Sequence, residues 1–266
     1  MPTWLPATVV EHRPWTAGLF TLVLDRDVPF EAGQFLTLTR DPDGDRHTRR
    51  AYSVASAPGE PLEFYIVEVE EGAVSPGLGE LRPGDTVYVS DKGKGLFTLA
   101  EVPEGATDLW MVATGTGLAP FRSMLRDGAR LRNAADGTPE ALERDSHVLR
   151  RFERIFLVYG ARHSDQLGYV HELSALASCC PGRLTPLPLV SREDPGPDAL
   201  GGRVTDRLRD GSLEATAGAT IEPGRSHVLL CGNPAMIKEM QAMLEERGMV
   251  RHTRRAPGHL SYEKYW

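Results

Sequence analysis

Residues 109–120 read Leu109-Trp110-Met111-Val112-Ala113-Thr114-Gly115-Thr116-Gly117-Leu118-Ala119-Pro120. The first five make an unbroken apolar run, the pattern of a strand covered on both faces in a parallel sheet. A glycine-rich turn follows, and then a helical pattern from about Phe121 to Arg132. Strand, turn and helix start in that order form a cradle for phosphate. The first N–H groups of a helix have no partner within it, and its dipole favours an anion. The glycines let the backbone approach a diphosphate closely, although the turn departs from the Gly-x-Gly-x-x-Gly pattern.

Downstream, the alternation repeats. Ile155–Tyr159 and Leu184–Ser191 read as strands, the second with prolines that suit a sheet edge. Tyr169–Ser178 reads as a helix. His227–Cys231 reads as a buried strand, Gly232-Asn233-Pro234 as a turn, and about Ala235 to Arg247 as a helix with Met236, Ile237, Met240 and Leu244 on its apolar face. Strands alternating with helices imply a parallel sheet, which binds ligands at the carboxyl ends of its strands. Residues 127–150, charged and containing Gly137-Thr138-Pro139, read as a surface insertion.

Arg162, Arg192 and, after Gly201-Gly202, Arg203 sit just past strands, where such a ligand would lie. Each suits a solvated surface charge. Together, beside the glycine turn, they suit an extra phosphate, the feature that separates NADP from NAD. The strand ending Tyr159-Gly160-Ala161-Arg162 closes on a cation rather than an acid, which also favours NADP. Cys231 ends a strand at the same sheet edge as the glycine turn. It is either a buried structural thiol or a small, soft side chain beside a nicotinamide, and no His/Asp arrangement makes it a nucleophile.

Upstream of Pro103-Glu104-Gly105 the pattern differs. Short strand-like runs cover Ala7–Glu11, Leu19–Leu24, Gln34–Thr39, Arg50–Ala55, Leu62–Val69 and Thr86–Ser90, punctuated by turns such as Asp41-Pro42-Asp43-Gly44 and Arg82-Pro83-Gly84-Asp85. They predict an antiparallel β-barrel. The chain is therefore expected to have two domains: the barrel over 1–102, and an α/β parallel sheet with flanking helices over 103–266.

Within the barrel, Arg50-Ala51-Tyr52-Ser53 alternates a guanidinium and an aromatic ring on one face with Ala51 and Ser53 on the other. Arg suits a phosphate and Tyr a planar ring, so flavin would use all of these groups. An ordinary barrel strand would look the same. Phe64-Tyr65-Ile66-Val67-Glu68 is a buried-strand pattern whose backbone could pair with a ligand's polar edge. Gly72-Ala73-Val74-Ser75-Pro76-Gly77-Leu78 could offer N–H groups and the Ser75 hydroxyl to phosphate, or simply cap a short helix over Pro76–Glu80. Lys92 and Lys94 fall in a solvated hairpin whose charge could serve a partner.

Composition narrows the classes. The 266 residues are 41% hydrophobic and 25% charged, as in a soluble globular protein, and the net charge of −7 argues against nucleic-acid binding. Cys179, Cys180 and Cys231 are too few for a disulfide framework or for a cluster held by four thiolates, and no metal site is expected. A cytoplasmic setting follows from that cysteine usage. The N-terminus lacks the features of a signal peptide, and no apolar run approaches the ~20 residues that span a bilayer.

Arg50-Ala51-Tyr52-Ser53, Gly115-Thr116-Gly117-Leu118-Ala119-Pro120 and Cys231-Gly232-Asn233-Pro234, in this order, resemble the ferredoxin–NADP reductase superfamily over nearly the whole chain. Arg254-Arg255-Ala256-Pro257-Gly258-His259 and the terminal Tyr265-Trp266 make the likeness closest to its bacterial ferredoxin (flavodoxin)–NADP reductases. The resemblance implies an FAD enzyme that takes hydride from NADPH and passes single electrons to ferredoxin or flavodoxin. It implies that Arg50 binds the FAD diphosphate, Tyr52 stacks on the isoalloxazine, and Ser53 hydrogen-bonds near its N5, with Ala51 between them. The Phe64, Tyr65, Ile66 and Val67 backbone would line the flavin, and Val74 and Ser75 its diphosphate. Tyr265 would cover the flavin's other face and Trp266 its adenine.

For NADP, the resemblance implies Thr114, Gly115, Thr116, Gly117 and Pro120 at the diphosphate, and Arg162, Arg192 and Arg203 at the 2′-phosphate. Cys231 and Gly232 would lie beside the nicotinamide, so Ser53, Cys231 and Tyr265 would carry the catalytic contacts. Glu263 is the nearest acid to the tail and matches no motif. Acidic partners would dock near Arg251, Arg254, Arg255 and Lys264, a cluster that equally suits a solvated face, and the protein would act as a monomer. Two other readings stand beside this one: an NAD(P)H-dependent flavin reductase or oxygenase reductase component, and a non-catalytic flavin-binding regulator.

Overall fold

The computed structural model describes residues 3–133 and 148–264. The chain divides into two compact units, Met1–Thr98 with Ala119–Ala134, and Leu99–Leu118 with Ala135–Trp266.

The first unit is built on six antiparallel strands: β1 (Trp4–Thr16), β2 (Leu19–Asp25), β3 (Phe35–Thr39), β4 (Arg49–Ser53), β5 (Leu62–Val67) and β6 (Thr86–Ser90), in spatial order β4-β3-β6-β1-β2-β5. Alternation explains why they stack. Leu22, Leu24, Leu36, Leu38, Val87 and Val89 turn to one side and are 0% exposed, and the same core takes in Val54, Phe64 and Leu78. The two edge strands meet at one point: Val54 bridges Phe64, and the Ala55 N–H donates to the Glu63 carbonyl at 2.8 Å. That contact closes the sheet into the expected barrel. A short helix, α1 (Ser75–Gly79), follows β5. Lys94 belongs to more than a solvated hairpin, since it exchanges both backbone hydrogen bonds with Phe35, each 3.0 Å.

The second unit is a parallel sheet. Its strands are β7 (Asp108–Thr114), β8 (Arg154–Ala161), β9 (Leu184–Val190), β10 (Leu200–Gly201), β11 (Ser226–Gly232) and β12 (Leu260–Lys264), in order β10-β9-β8-β7-β11-β12. From β7 the chain moves outward through β8 and β9, then returns to place β11 on the other side of β7. The order reverses there, and in open α/β sheets ligands bind at that reversal. Helix α2 (Leu118–Asn133) follows β7, and α3 (Val170–Ser178), α4 (Val204–Arg209), α5 (Ser212–Ala217) and α6 (Pro234–Glu246) make up the other connections. The apolar stripe of α6 (Met236, Ile237, Met240, Leu244) packs into one core with Trp110, Val112, Phe156 and Leu230.

Four readings of the sequence are corrected or sharpened. Leu260–Lys264 adds a strand, paired with β11, to those read from the sequence. Its polar alternation, Ser261 and Glu263 between Leu260 and Tyr262, hid it. The expected insertion begins later than 127, because α2 runs to Asn133, and residues 134–147 lie outside the described part. The prolines of β9, Pro186 and Pro188, lie where no outer strand pairs, because β10 meets only Leu189 and Val190. The helix expected over Pro76–Glu80 begins one residue earlier, at Ser75.

Asp108, at the start of β7, is 0% exposed and anchors the amino-terminal end of the sheet. Arg154 binds it through two hydrogen bonds of 2.6 and 2.9 Å, and Arg225 through two of 2.9 and 3.4 Å. Burial pushes this carboxyl up, but the hydrogen bonds from both arginines outweigh it and hold it below the usual 3.8. A depressed carboxylate adds stability that is complete above its unfolded value and fades as the pH falls through its folded one. Asp108→Asn is predicted to lower stability in urea by about 2–3 kcal/mol, less than for a fully buried pair because both arginines are about one-third exposed. Equal midpoints for both proteins at pH 7 would contradict this, as would a difference that does not shrink as the pH falls below about 4.

Candidate functional site

In the second unit, the carboxyl ends of β7 and β11 meet at the reversal point. After β7 the chain makes one tight turn over Gly115–Gly117 and enters α2 at Leu118. A side chain on Gly117 would begin 2.6 Å from the carbonyl carbon of Cys231, and one on Gly232 would begin 2.6 Å from the Thr114 carbonyl oxygen. Gly232 also has φ +125°, a conformation closed to other residues. The two strand ends are thus in backbone contact, and the Asn233 N–H donates to Thr114 Oγ1 at 2.9 Å. At Gly115, by contrast, no atom lies within 4 Å of where a side chain would start. The turn is walled by backbone on the Gly117 side and open at Gly115, which is how a backbone cradle for a diphosphate is built.

Thr116 is 6% exposed, Cys231 0%, and Pro120 is buried in the first turn of α2, where a missing N–H costs nothing. Cys231 pairs in register with Ala113 on one side and Glu263 on the other, and Gly232 with Lys264. Glu263, without a motif in the sequence, is therefore the strand neighbour of Cys231.

The neighbouring strands deliver the arginines. Arg162 follows β8, Arg192 follows β9 and Arg203 follows β10, so three adjacent strands end in three exposed guanidiniums at the same sheet edge. The first two loops are tied by backbone: the Arg192 N–H donates to the Arg162 carbonyl at 2.9 Å and the Ser191 N–H to that of Ala161 at 3.1 Å. Among the described residues none of the three side chains makes a hydrogen bond or ion pair. Elsewhere in this unit Arg154, Arg207, Arg209, Arg225, Arg247 and Arg254 all reach carboxylates. Arginines not paired with carboxylates are what a multiply charged anion needs.

In the first unit, Arg50 and Tyr52 stand opposite Leu38 and Leu36 across the β3–β4 pair. Arg49 and Arg50 diverge in role. Arg49 donates to the Gly44 carbonyl at 2.6 Å and lies over the Trp4 ring, so it holds the 41–45 turn. Arg50 is exposed and, among the described residues, reaches the carbonyls of His47 and Arg49 but no carboxylate. Burial pushes the Tyr52 phenol up to about 12, against the nearby positive charge of Arg50, so the phenol stays neutral and can donate.

Ala51 is exposed and Ser53 buried at 4%. On β5, Phe64, Tyr65 and Ile66 are buried and Val67 is exposed. The β4 and β5 edges meet through the Val54–Phe64 bridge and the Ala55–Glu63 hydrogen bond, while Leu62–Val67 pairs along its length with β2. A basic and an aromatic side chain on a strand beside β5 fit a flat ligand with a diphosphate. Val74 and Ser75 are buried at the start of α1, and the Ser75 hydroxyl accepts from the Val69 N–H at 2.9 Å, which fixes the 69–75 turn.

Tyr265 and Trp266 lie outside the described residues. The basic tail is partly engaged: Arg254 pairs with Glu101 through hydrogen bonds of 2.5 and 2.8 Å, and Arg251 and Lys264 lie over the Tyr262 ring at 4.7 and 5.4 Å. Arg255 is exposed without such a partner among the described residues. Sequence reading missed His163, Ser164 and Glu193, which sit among the arginine loops. Their only signal was position, directly after Arg162 and Arg192.

Residues 111–242 match the family of oxidoreductase NAD-binding domains. Over its full length the chain is 39% identical to the flavodoxin/ferredoxin–NADP reductase of Escherichia coli (strain K12), also covered in full. It is 32% identical to the ferredoxin–NADP reductase of Azotobacter vinelandii, over 91% of this chain and 89% of that one. Among solved structures, a ferredoxin NADP+ reductase from Neisseria gonorrhoeae with bound FAD and NADP superposes with a TM-score of 0.83 at 26% identity, over 100% of both chains.

The close contact at Gly117 makes a direct forecast. Gly117→Ala is predicted to cost about 1–3 kcal/mol, because its new methyl meets backbone that cannot turn aside. Gly115→Ala, with open space around it, is predicted to cost about 1 kcal/mol, for its left-handed backbone alone. Equal losses in thermal or urea unfolding would contradict the packing described for these strand ends.

Proposed function

The chain belongs to the flavodoxin/ferredoxin–NADP reductase family, and from that premise we propose that it moves electrons between NADPH and ferredoxin or flavodoxin by way of FAD, gripping the 2′-phosphate of NADPH with Arg162, Arg192 and Arg203. The observation that carries this reading is the trio of guanidiniums at the ends of three adjacent strands that, among the described residues, make no ion pair with a carboxylate. The same feature argues against a flavin-binding regulator, which has no need to grip a 2′-phosphate.

The barrel unit, essentially residues 1–102, is the FAD-binding domain and residues 103–266 the NADP-binding domain. When bound, FAD supplies acceptance of a hydride from NADPH and release of electrons one at a time. The chain's own residues hold and orient. Arg50 neutralises the FAD diphosphate, with Val74 and Ser75 at the turn beside it. Tyr52 covers the flat ring, and its neutral phenol donates. Ser53 and Ala51, with the backbone of Phe64, Tyr65, Ile66 and Val67, meet the ring's polar rim. Tyr265 and Trp266 complete this set as the ring and adenine covers.

Thr114, Gly115, Thr116, Gly117 and Pro120 cradle the NADP diphosphate, while Cys231 and Gly232 leave room for the nicotinamide. Ser53, Cys231 and Tyr265 are the contacts nearest the reacting atoms. No helix among the described residues is long and apolar enough to cross a membrane. We place the protein in the cytoplasm, a setting supported by three free cysteines, and take it to act as a monomer.

Ferredoxin or flavodoxin docks at the basic tail of Arg251, Arg254, Arg255 and Lys264, by charge complementarity to acidic partners. Arg254 is already neutralised by Glu101, so Arg255 is the cleaner position at which to test this. With the FAD-loaded protein, Arg255→Glu is expected to slow ferredoxin reduction about fivefold to tenfold at low salt and to leave NADPH-driven ferricyanide reduction unchanged. Equal losses in both assays would remove the docking role.

Arg192→Ala is expected to raise KM for NADPH at least about tenfold, and KM for NADH less than about twofold. Parallel increases would remove the 2′-phosphate assignment. The proposed activity itself fails if the FAD-loaded protein oxidises NADPH with ferricyanide but reduces neither ferredoxin nor flavodoxin.

A further inference from the structure

Glu193 directly follows Arg192, so it is the carboxylate nearest the arginine cluster along the chain. An exposed carboxylate beside exposed guanidiniums ordinarily pairs with one of them. Arg207 pairs with Asp210 in this way at 2.8 Å, and Arg225 with Glu153 at 3.1 Å. Glu193 does not. Its Oε1 accepts from the Ser164 N–H at 2.7 Å, and its Oε2 lies 3.0 Å from His163 Nδ1. Both partners belong to the loop after β8, immediately past Arg162. Hydrogen bonds from Ser164, through side chain and backbone, and then from His163 hold the Glu193 carboxyl down to about 2, so it is an anion throughout the working range.

Two further acids on the neighbouring segments are also engaged. Asp194 accepts from the Gly196 N–H at 3.1 Å, and Glu239, whose charge feels Arg203, is bound to Arg209. The loops bearing Arg162 and Arg192 are already joined by backbone hydrogen bonds, so Glu193 is not needed to hold them together.

We propose that the Ser164 amide and His163 divert the Glu193 carboxylate from Arg162, Arg192 and Arg203, and that this diversion sets much of the preference for NADPH over NADH. The inference rests on the reading that this cluster takes the 2′-phosphate. A monoanion tethered one residue from Arg192 has a high effective concentration there. If released, it competes with the 2′-phosphate for the same guanidinium fork. NADPH must then displace it, whereas NADH, without that phosphate, is indifferent. Glu193, His163 and Ser164 are therefore positioning residues that decide specificity without touching the nucleotide.

The backbone allows a clean test. His163 is extended at φ −128°, ψ 155°, the conformation a following proline requires, and Ser164 opens a short 3₁₀ turn, where proline fits. Ser164→Pro deletes the N–H and frees a carboxylate that remains present. On the FAD-loaded protein, calorimetry is expected to show NADP+ binding weakened about tenfold and NAD+ binding changed less than about twofold. In turnover, KM for NADPH should rise while kcat holds. The double variant Ser164→Pro/Glu193→Ala should regain wild-type NADP+ affinity, because the competitor is gone, and Glu193→Ala alone should keep it. His163→Ala, which removes the imidazole partner together with its cap on the Ser164–Gln166 turn, should shift NADP+ binding in the same direction by a smaller factor.

Equal weakening of NADP+ and NAD+ by Ser164→Pro, or a double variant no better than the single, would overturn the proposal. Arg192→Ala in the same series separates the two levels. If it fails to weaken NADP+ selectively, the 2′-phosphate reading itself falls. If it does so while Glu193→Ala brings no rescue, only the diversion falls.

Discussion

The backbone contact between the ends of β7 and β11 is the constraint on which the second unit depends. Gly117 and Gly232 lack side chains where the carbonyls of Cys231 and Thr114 stand, and the Asn233 amide is fixed on Thr114 Oγ1. With the two strand ends locked, the turn over Gly115–Gly117 has one shape, α2 begins at Leu118, and the open side of Gly115 is left free. The order reversal in the sheet puts this contact where a ligand's charged centre belongs. The strands fanning out from it, β8, β9 and β10, then carry Arg162, Arg192 and Arg203 along the same edge.

Charge in this unit is organised by what is paired and what is not. At the amino-terminal end of the sheet Asp108 takes two arginines and is fully buried, so guanidiniums there serve the fold. At the carboxyl end the guanidiniums are exposed and their neighbouring acids are engaged elsewhere. The contrast goes beyond exposure, since Arg209 and Arg254 are also exposed yet paired. In the first unit Arg49 and Arg50 divide the same way, one holding a turn and the other unclaimed by any carboxylate.

Much of the fold was legible in the sequence because its signals are local. Leu109–Ala113 is apolar without interruption and forms a central strand. The stripe Met236, Ile237, Met240, Leu244 has helical spacing and forms the buried face of α6. The strand Leu260–Lys264 was not legible, since its partner β11 lies thirty residues upstream and its own alternation is polar. Barrel closure through Val54 and Phe64 was equally hidden, being a long-range contact. For the candidate site, the placement of Arg162, Arg192 and Arg203 after strands could be read directly. Their freedom from carboxylates could not, because Glu193 sits beside Arg192 in sequence and only the structure turns it toward Ser164 and His163.

The central claim is that this chain takes hydride from NADPH in preference to NADH onto bound FAD. An anaerobic titration of the purified, FAD-loaded protein with each nucleotide, followed by the visible flavin absorbance, tests it most directly. The account predicts bleaching by NADPH at a concentration at least about tenfold below that needed with NADH, the margin expected for a 2′-phosphate held by several arginines. Equal bleaching by the two nucleotides, or a yellow protein that neither bleaches, would contradict it.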